Sequence, residues 1–142
     1  MSGVDLQKIQ KLLQAKKYSN IILEIEAQTT EKNRPAALHN LLGVCRASQR
    51  GRTDRDAQYA LNDFETAFYK DNLGQISLDA LCSHITLCAE LGRRESDLVN
   101  NFLISEKMYL EAEKNYSKNE RYIRCGLDLY KYLLKHKERI SK

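Results

Sequence analysis

The chain is predicted to be all-α and built from stacked antiparallel helix pairs, and three observations predict it. First, apolar residues recur at three- and four-residue intervals, and no segment sustains a two-residue alternation. Second, Leu42-Gly43 on one helical pattern is followed by Ala60-x-x-x-Phe64-x-x-Ala67 on the next. Small side chains let two helix backbones approach, and an aromatic ring fills the gap between their axes. Third, Val99-Asn100-Asn101-Phe102-Leu103-Ile104-Ser105 echoes Leu61-Asn62-Asp63-Phe64-Glu65-Thr66-Ala67, 38 residues earlier. Self-similarity at such a period marks stacked repeats.

The elements follow in order. Leu6, Ile9, Leu12 and Leu13 predict a first helix from about Asp5 to Lys16. Ile21, Ile22 and Ile25 predict a second, with Ser19 as its cap, ending in the polar stretch Thr29–Arg34. Pro35 suits the first turn of a third helix, which carries Leu38, Leu41, Leu42, Val44 and Cys45 and stops near Gly51. Thr53 or Asp54 caps a fourth helix over Ala57–Lys70, and Asn72-Leu73-Gly74 breaks it. A fifth helix runs from about Ser77 to Leu91, with Gly92 as its stop. Glu95-Ser96-Asp97 opens a sixth that reaches Tyr116 without a breaker. Tyr122, Cys125, Gly126, Leu129, Tyr130 and Leu133 define a seventh, which runs into the basic tail Lys135-His136-Lys137-Glu138-Arg139.

Bulk properties narrow the function classes. The 142 residues suit one domain over 1–142 with its own core. A 42% apolar and 30% charged composition describes a folded chain rather than a disordered one. The net charge of +4 is mild and scattered, so nucleic acid is a disfavoured partner. No apolar run approaches a membrane span of about 20 residues, and no secretory signal precedes Leu6. Cytoplasmic localisation is the expectation, and the sequon Asn115-Tyr116-Ser117 is read as an accident of composition.

Catalytic signatures are missing from the sequence. Cys45, Cys82, Cys88 and Cys125 form no CxxC pair and fall within apolar helical patterns, so all four are expected to be free core thiols. His39, His84 and His136 are isolated from one another, and His39 and His84 are expected to be helix-face histidines. No phosphate loop, nucleophile elbow or HExxH motif occurs. Neither metal, cofactor nor catalytic residue is expected. Tyr116, Tyr122, Tyr130 and Tyr132 lie among Lys118, Arg121, Arg124, Lys131 and Lys135, a mixture able to stack single-stranded bases. Core tyrosines with wetted hydroxyls account for them better.

Leu42-Gly43 with Ala60, Phe64 and Ala67 resembles the tetratricopeptide repeat. Leu78, Leu81, Cys82 and Ile85, then Leu98, Phe102 and Ser105, fill the corresponding places of a following repeat. Tyr122, Cys125, Gly126 and Leu129 match a further first helix, and Leu6, Ile9 and Leu13 match an initial one, with Gln10 where a small residue belongs. The period exceeds the family's 34 residues, and the proline that closes each repeat is absent. The resemblance implies a short right-handed α-solenoid of about three helix pairs plus a C-terminal helix, whose first helices line a concave groove. It also implies a protein-interaction module whose groove takes a peptide or partner protein. The groove positions would be Gln7, Lys11 and Gln14; Asn40, Val44 and Ser48; Asp79, Ser83 and Thr86; and Glu120 and Tyr130 on the last helix. Members that bind chaperone tails clamp a carboxylate with an asparagine, and Leu41 stands at that place, so that specificity is not implied. Similar arrays also precede transferase domains, which gives an accessory-segment alternative. The last helix carries Ile123, Leu127, Leu129, Tyr130, Leu133 and Leu134, too apolar a circumference for a solvated end, and this predicts cover by the sixth helix or self-association.

Overall fold

The computed structural model describes residues 5–91 and 95–136, and the side chains of 5–91 and 99–136. The stop expected at Gly92, the side chains of Ser96, Asp97 and Leu98, and the tail beyond His136 lie outside the described residues. Seven helices and no strand occur among those described.

Helix α1 (Leu6–Gln14) begins where the Asp5 carboxylate accepts the N–H groups of Gln7 at 3.0 Å and Lys8 at 3.2 Å. Such a cap is worth about 1 kcal/mol. Lys16 turns the chain in the left-handed region (φ 56°), and α2 (Tyr18–Gln28) starts at once. Ser19, expected to cap α2, instead lies inside its first turn, because that turn leads straight from α1 and Lys17 takes the cap position with no side-chain bond. Thr29 closes α2: its hydroxyl donates to the Ile25 carbonyl at 2.7 Å and accepts from Arg34 Nε at 2.9 Å.

Pro35 sits at the N-cap, one residue before α3 (Ala36–Ser48). A capping box between Thr53 and Asp56 opens α4 (Asp54–Lys70). The far end of α4 holds the 31–34 loop, since Lys70 Nζ donates to the carbonyls of Glu31 at 3.1 Å and Arg34 at 2.9 Å. Asn72 and Leu73, both at positive φ, reverse the chain into α5 (Gln75–Leu91). Ser77, buried in the first turn of α5, donates to the Phe68 carbonyl at 2.6 Å and accepts from the Leu73 N–H at 3.0 Å. Helix α6 (Glu95–Tyr116) follows, then α7 (Glu120–Lys135), which is capped by the Asn119 side-chain oxygen Oδ1 accepting from the N–H groups of Arg121 and Tyr122.

The Leu-Gly and aromatic ladder does what its chemistry requires. A Cβ on Gly43 would stand 2.5 Å from Phe64 Cε1, so the ring of α4 lies directly on the backbone of α3. Ala60, Leu61 and Ala67 are buried around Phe64. One apolar cluster joins Ile9, Ile21, Ile22 and Ile25 to Leu38, Leu42 and Cys45, and a larger one runs through α4 to α7. Among the described residues every helix contact is with the next helix or the next but one. Helix α3 meets α5, and α5 meets α7, whereas α1 touches α2 alone.

Candidate functional site

On α3 the residues Asn40, Val44 and Ser48 fall one turn apart, and on α5 Asp79, Ser83, Thr86 and Glu90 do the same. Because α3 and α5 are in contact, the two rows flank one concavity of about 320 Å³. Val44, Ala47, Phe64, Cys82 and Leu87 give it an apolar lining, and Ser48, Ser83 and Thr86 supply hydroxyls. Thr86 donates its hydroxyl to the Cys82 carbonyl at 2.9 Å.

Two ion pairs bound the groove. Arg52, in the turn after α3, donates to the Ala47 carbonyl at 2.9 Å and meets the Glu90 carboxylate at 3.5 Å. Arg121, at the start of α7, pairs with Asp79. Both pairs are solvent-exposed in part, so each contributes little stability and leaves its guanidinium available to a competing acceptor.

Four of the expected groove residues, Val44, Ser48, Ser83 and Thr86, line this concavity. Asp79 is at its edge, held by Arg121. Asn40 is half-buried, and its side-chain oxygen is enclosed without a hydrogen-bond partner. Gln7, Lys11 and Gln14 are exposed on α1 and are not brought to the groove, because α1 makes no contact with α3 or α5. Glu120 is exposed in the first turn of α7, and Tyr130 lies outside the lining. Sequence reasoning missed Arg52, Glu90, Arg121 and Cys82. Glu90 was within reach, as the next turn of the Asp79–Thr86 row.

One expectation is overturned: Cys82 and Cys125 form a disulfide, with Cα atoms 5.6 Å apart. The pairing joins α5 to α7 across 43 residues of chain, a proximity that only the packing of those two helices creates. Cys45 and Cys88 are free and buried, and burial pushes their thiols up to about 11 and about 12. They are inert core groups.

The remaining polar candidates are structural. His39 is fully buried, its Nδ1 3.5 Å from Asp63 and its Nε2 3.3 Å from the Glu31 carbonyl. Asp63, also buried, pairs with Arg46, which reaches Glu26 at 3.4 Å. His84 is buried with Nδ1 2.6 Å from the Ser105 hydroxyl, and burial lowers its pKa to about 3. Tyr122 stacks on Tyr109 at 4.3 Å and donates to the Tyr109 carbonyl at 2.7 Å; Tyr132 is buried, and Tyr116 donates to the Gly74 carbonyl. Of the four clustered tyrosines only Tyr130 stands exposed. Among the described residues no three His, Cys, Asp or Glu side chains come together as a metal site, and no helix is long and apolar enough to cross a membrane. Comparison with known protein families, curated proteins and solved structures returned no match for this chain.

Proposed function

We propose that this chain is a protein-interaction module of tetratricopeptide-like helix pairs that receives a peptide or helix of a partner protein in the groove between α3 and α5. The observation that carries the reading is the convergence of Val44, Ser48, Ser83 and Thr86 on one concavity with an apolar lining and a rim of paired charges. Its size is at the lower end for ligand sites, which range over roughly 300–1,000 Å³. That volume suits one or two apolar anchor side chains of an extended segment, with hydroxyls placed for its amides. The contacts α3–α5 and α5–α7 favour a short solenoid in which first helices stand side by side. Helix α1 does not join that row, so the working surface is confined to α3, α5 and the start of α7.

Selection of a random peptide library on the full chain tests this reading, with counter-selection on a Val44→Glu/Thr86→Arg variant. Peptides enriched on the wild type and lost on the variant support it. An enriched set that binds both proteins equally, or no enrichment at all, refutes it.

A second reading concerns α7. Ile123, Leu127, Tyr130 and Leu134 recur at four-, three- and four-residue spacing and are between 48% and 57% exposed. This stripe has the spacing of a helix-packing seam, and it favours self-association through the last helix. Light scattering across a concentration series separates the two: a monomer at every concentration leaves α7 without this role.

A further inference from the structure

Peptide recognition by the groove leaves one reactive group without a task. The Cys82–Cys125 disulfide borders the groove, and its two residues are unequally exposed. Cys82 is half-buried and lines the groove, whereas Cys125 is 5% exposed, on the face of α7 that packs into the core. Thiol–disulfide exchange needs a thiolate to reach the sulfur it attacks, so access selects which sulfur receives the new bond.

We propose that Cys82 is a thiol-exchange site for a peptide thiol bound in the groove. The incoming thiolate forms an S–S bond to Cys82 Sγ, the Cys82–Cys125 bond breaks, and Cys125 leaves as a thiolate that takes a proton from water. In sum, one thiol and the internal disulfide become a mixed disulfide on Cys82 and a thiol on Cys125, and no oxidant or reductant is consumed. The reverse step uses Cys125 as the resolving thiol, which attacks Cys82 Sγ and expels the peptide.

The surroundings suit a reversible step. Asp79 lies one turn before Cys82 on α5, and Arg121 one turn before Cys125 on α7, so their ion pair runs beside the disulfide. Tyr122, Cys125 and Leu129 are also buried against the core that α5 shares. Helices α5 and α7 therefore stay together when the sulfur bond opens, and Cys125 stays within reach of Cys82. Cys45 and Cys88, at most 1% exposed, are closed to the same reagent.

The inference rests on the groove admitting a peptide chain, and glutathione is the probe because it is a small peptide thiol. The oxidised full chain is incubated with reduced glutathione for a short time, free thiols are alkylated in acid-quenched samples, and both modifications are mapped by mass spectrometry. Glutathione on Cys82 with alkylated Cys125 is expected in about tenfold excess over the opposite arrangement. In parallel, Cys125→Ser and Cys82→Ser variants meet oxidised glutathione, and Cys82 should take the adduct about tenfold faster than Cys125. Equal labelling of the two sulfurs, labelling of Cys45 or Cys88 at a similar rate, or an oxidised protein without the Cys82–Cys125 bond overturns the proposal. So does a bond that glutathione does not open. Where exchange fails by any of these outcomes, cysteine-free library peptides that still bind the wild-type chain show that the exchange site has failed while the peptide groove has not.

Discussion

Gly43→Ala tests the packing on which the helix pairs are built. The new Cβ would stand 2.5 Å from Phe64 Cε1, 2.7 Å from Cδ1 and 3.0 Å from Cζ. Carbon atoms rest at about 3.5–4.0 Å, so the overlap with the nearest ring atom is about 1 Å. The ring is 2% exposed and packed in the cluster that holds Ala60, Leu61 and Ala67, so it can yield only by leaving that packing for the groove it lines. Overpacking of this kind costs about 3 kcal/mol. Replacing glycine by alanine within a helix returns about 1 kcal/mol, and the net loss is therefore about 2 kcal/mol. Urea unfolding of wild type and variant reads this as a midpoint lower by about 1 M at an unchanged slope. In a Phe64→Leu background the ring is gone and the same Gly43→Ala change should keep only the helix-propensity gain of about 1 kcal/mol, a coupling of about 3 kcal/mol. A Gly43→Ala variant as stable as wild type, or more stable by the helix-propensity gain, would refute the close approach of α3 and α4.

Three further outcomes follow from the structure. Cys82→Ser/Cys125→Ser opens a loop of 43 residues and should lower unfolding stability by about 4 kcal/mol, measured by urea unfolding without reductant. Arg46→Met leaves the buried Asp63 carboxylate with His39 alone and should cost about 3 kcal/mol, most of it recovered by adding Asp63→Asn. His84 titrates near 6.5 when unfolded and at about 3 when folded, so below pH 6.5 the unfolded chain binds a proton that the folded chain refuses. Stability is therefore intact above pH 6.5 and falls as pH drops toward 3, on the order of 1 kcal/mol per unit, and urea unfolding of a His84→Asn variant should lack that part of the slope.

Local chemistry made much of the fold legible. Thr53 announces a helix start because a short polar side chain meets a backbone N–H three residues on, and the structure adds the same chemistry at Asp5 and Asn119. Gly43 and Phe64 announce their contact because only a missing Cβ admits a ring at that distance. Ser19 misled because the α1–α2 turn is tight enough for the helix to begin at Tyr18 without a side-chain cap. The groove was half legible: Val44, Ser48, Ser83 and Thr86 follow from the tetratricopeptide resemblance, but Arg52 sits in a turn and Arg121 enters from a helix two elements further on. Cys82 and Cys125 carry no local mark of pairing, since α5 and α7 must first pack together. Gln7, Lys11 and Gln14 hold groove positions by the same resemblance, yet α1 is not beside α3, and a match of residues to a repeat pattern cannot report that.

We propose that a partner segment lies between α3 and α5. Titration of a library-selected peptide into isotope-labelled protein, followed by amide NMR shifts, tests it most directly. Shifts concentrated at Val44, Ser48, Ser83 and Thr86, with Arg52 and Arg121 at the margins, are the predicted result. Shifts centred on Ile123, Leu127 and Leu134, or along α1, with the α3–α5 groove unchanged, would contradict it.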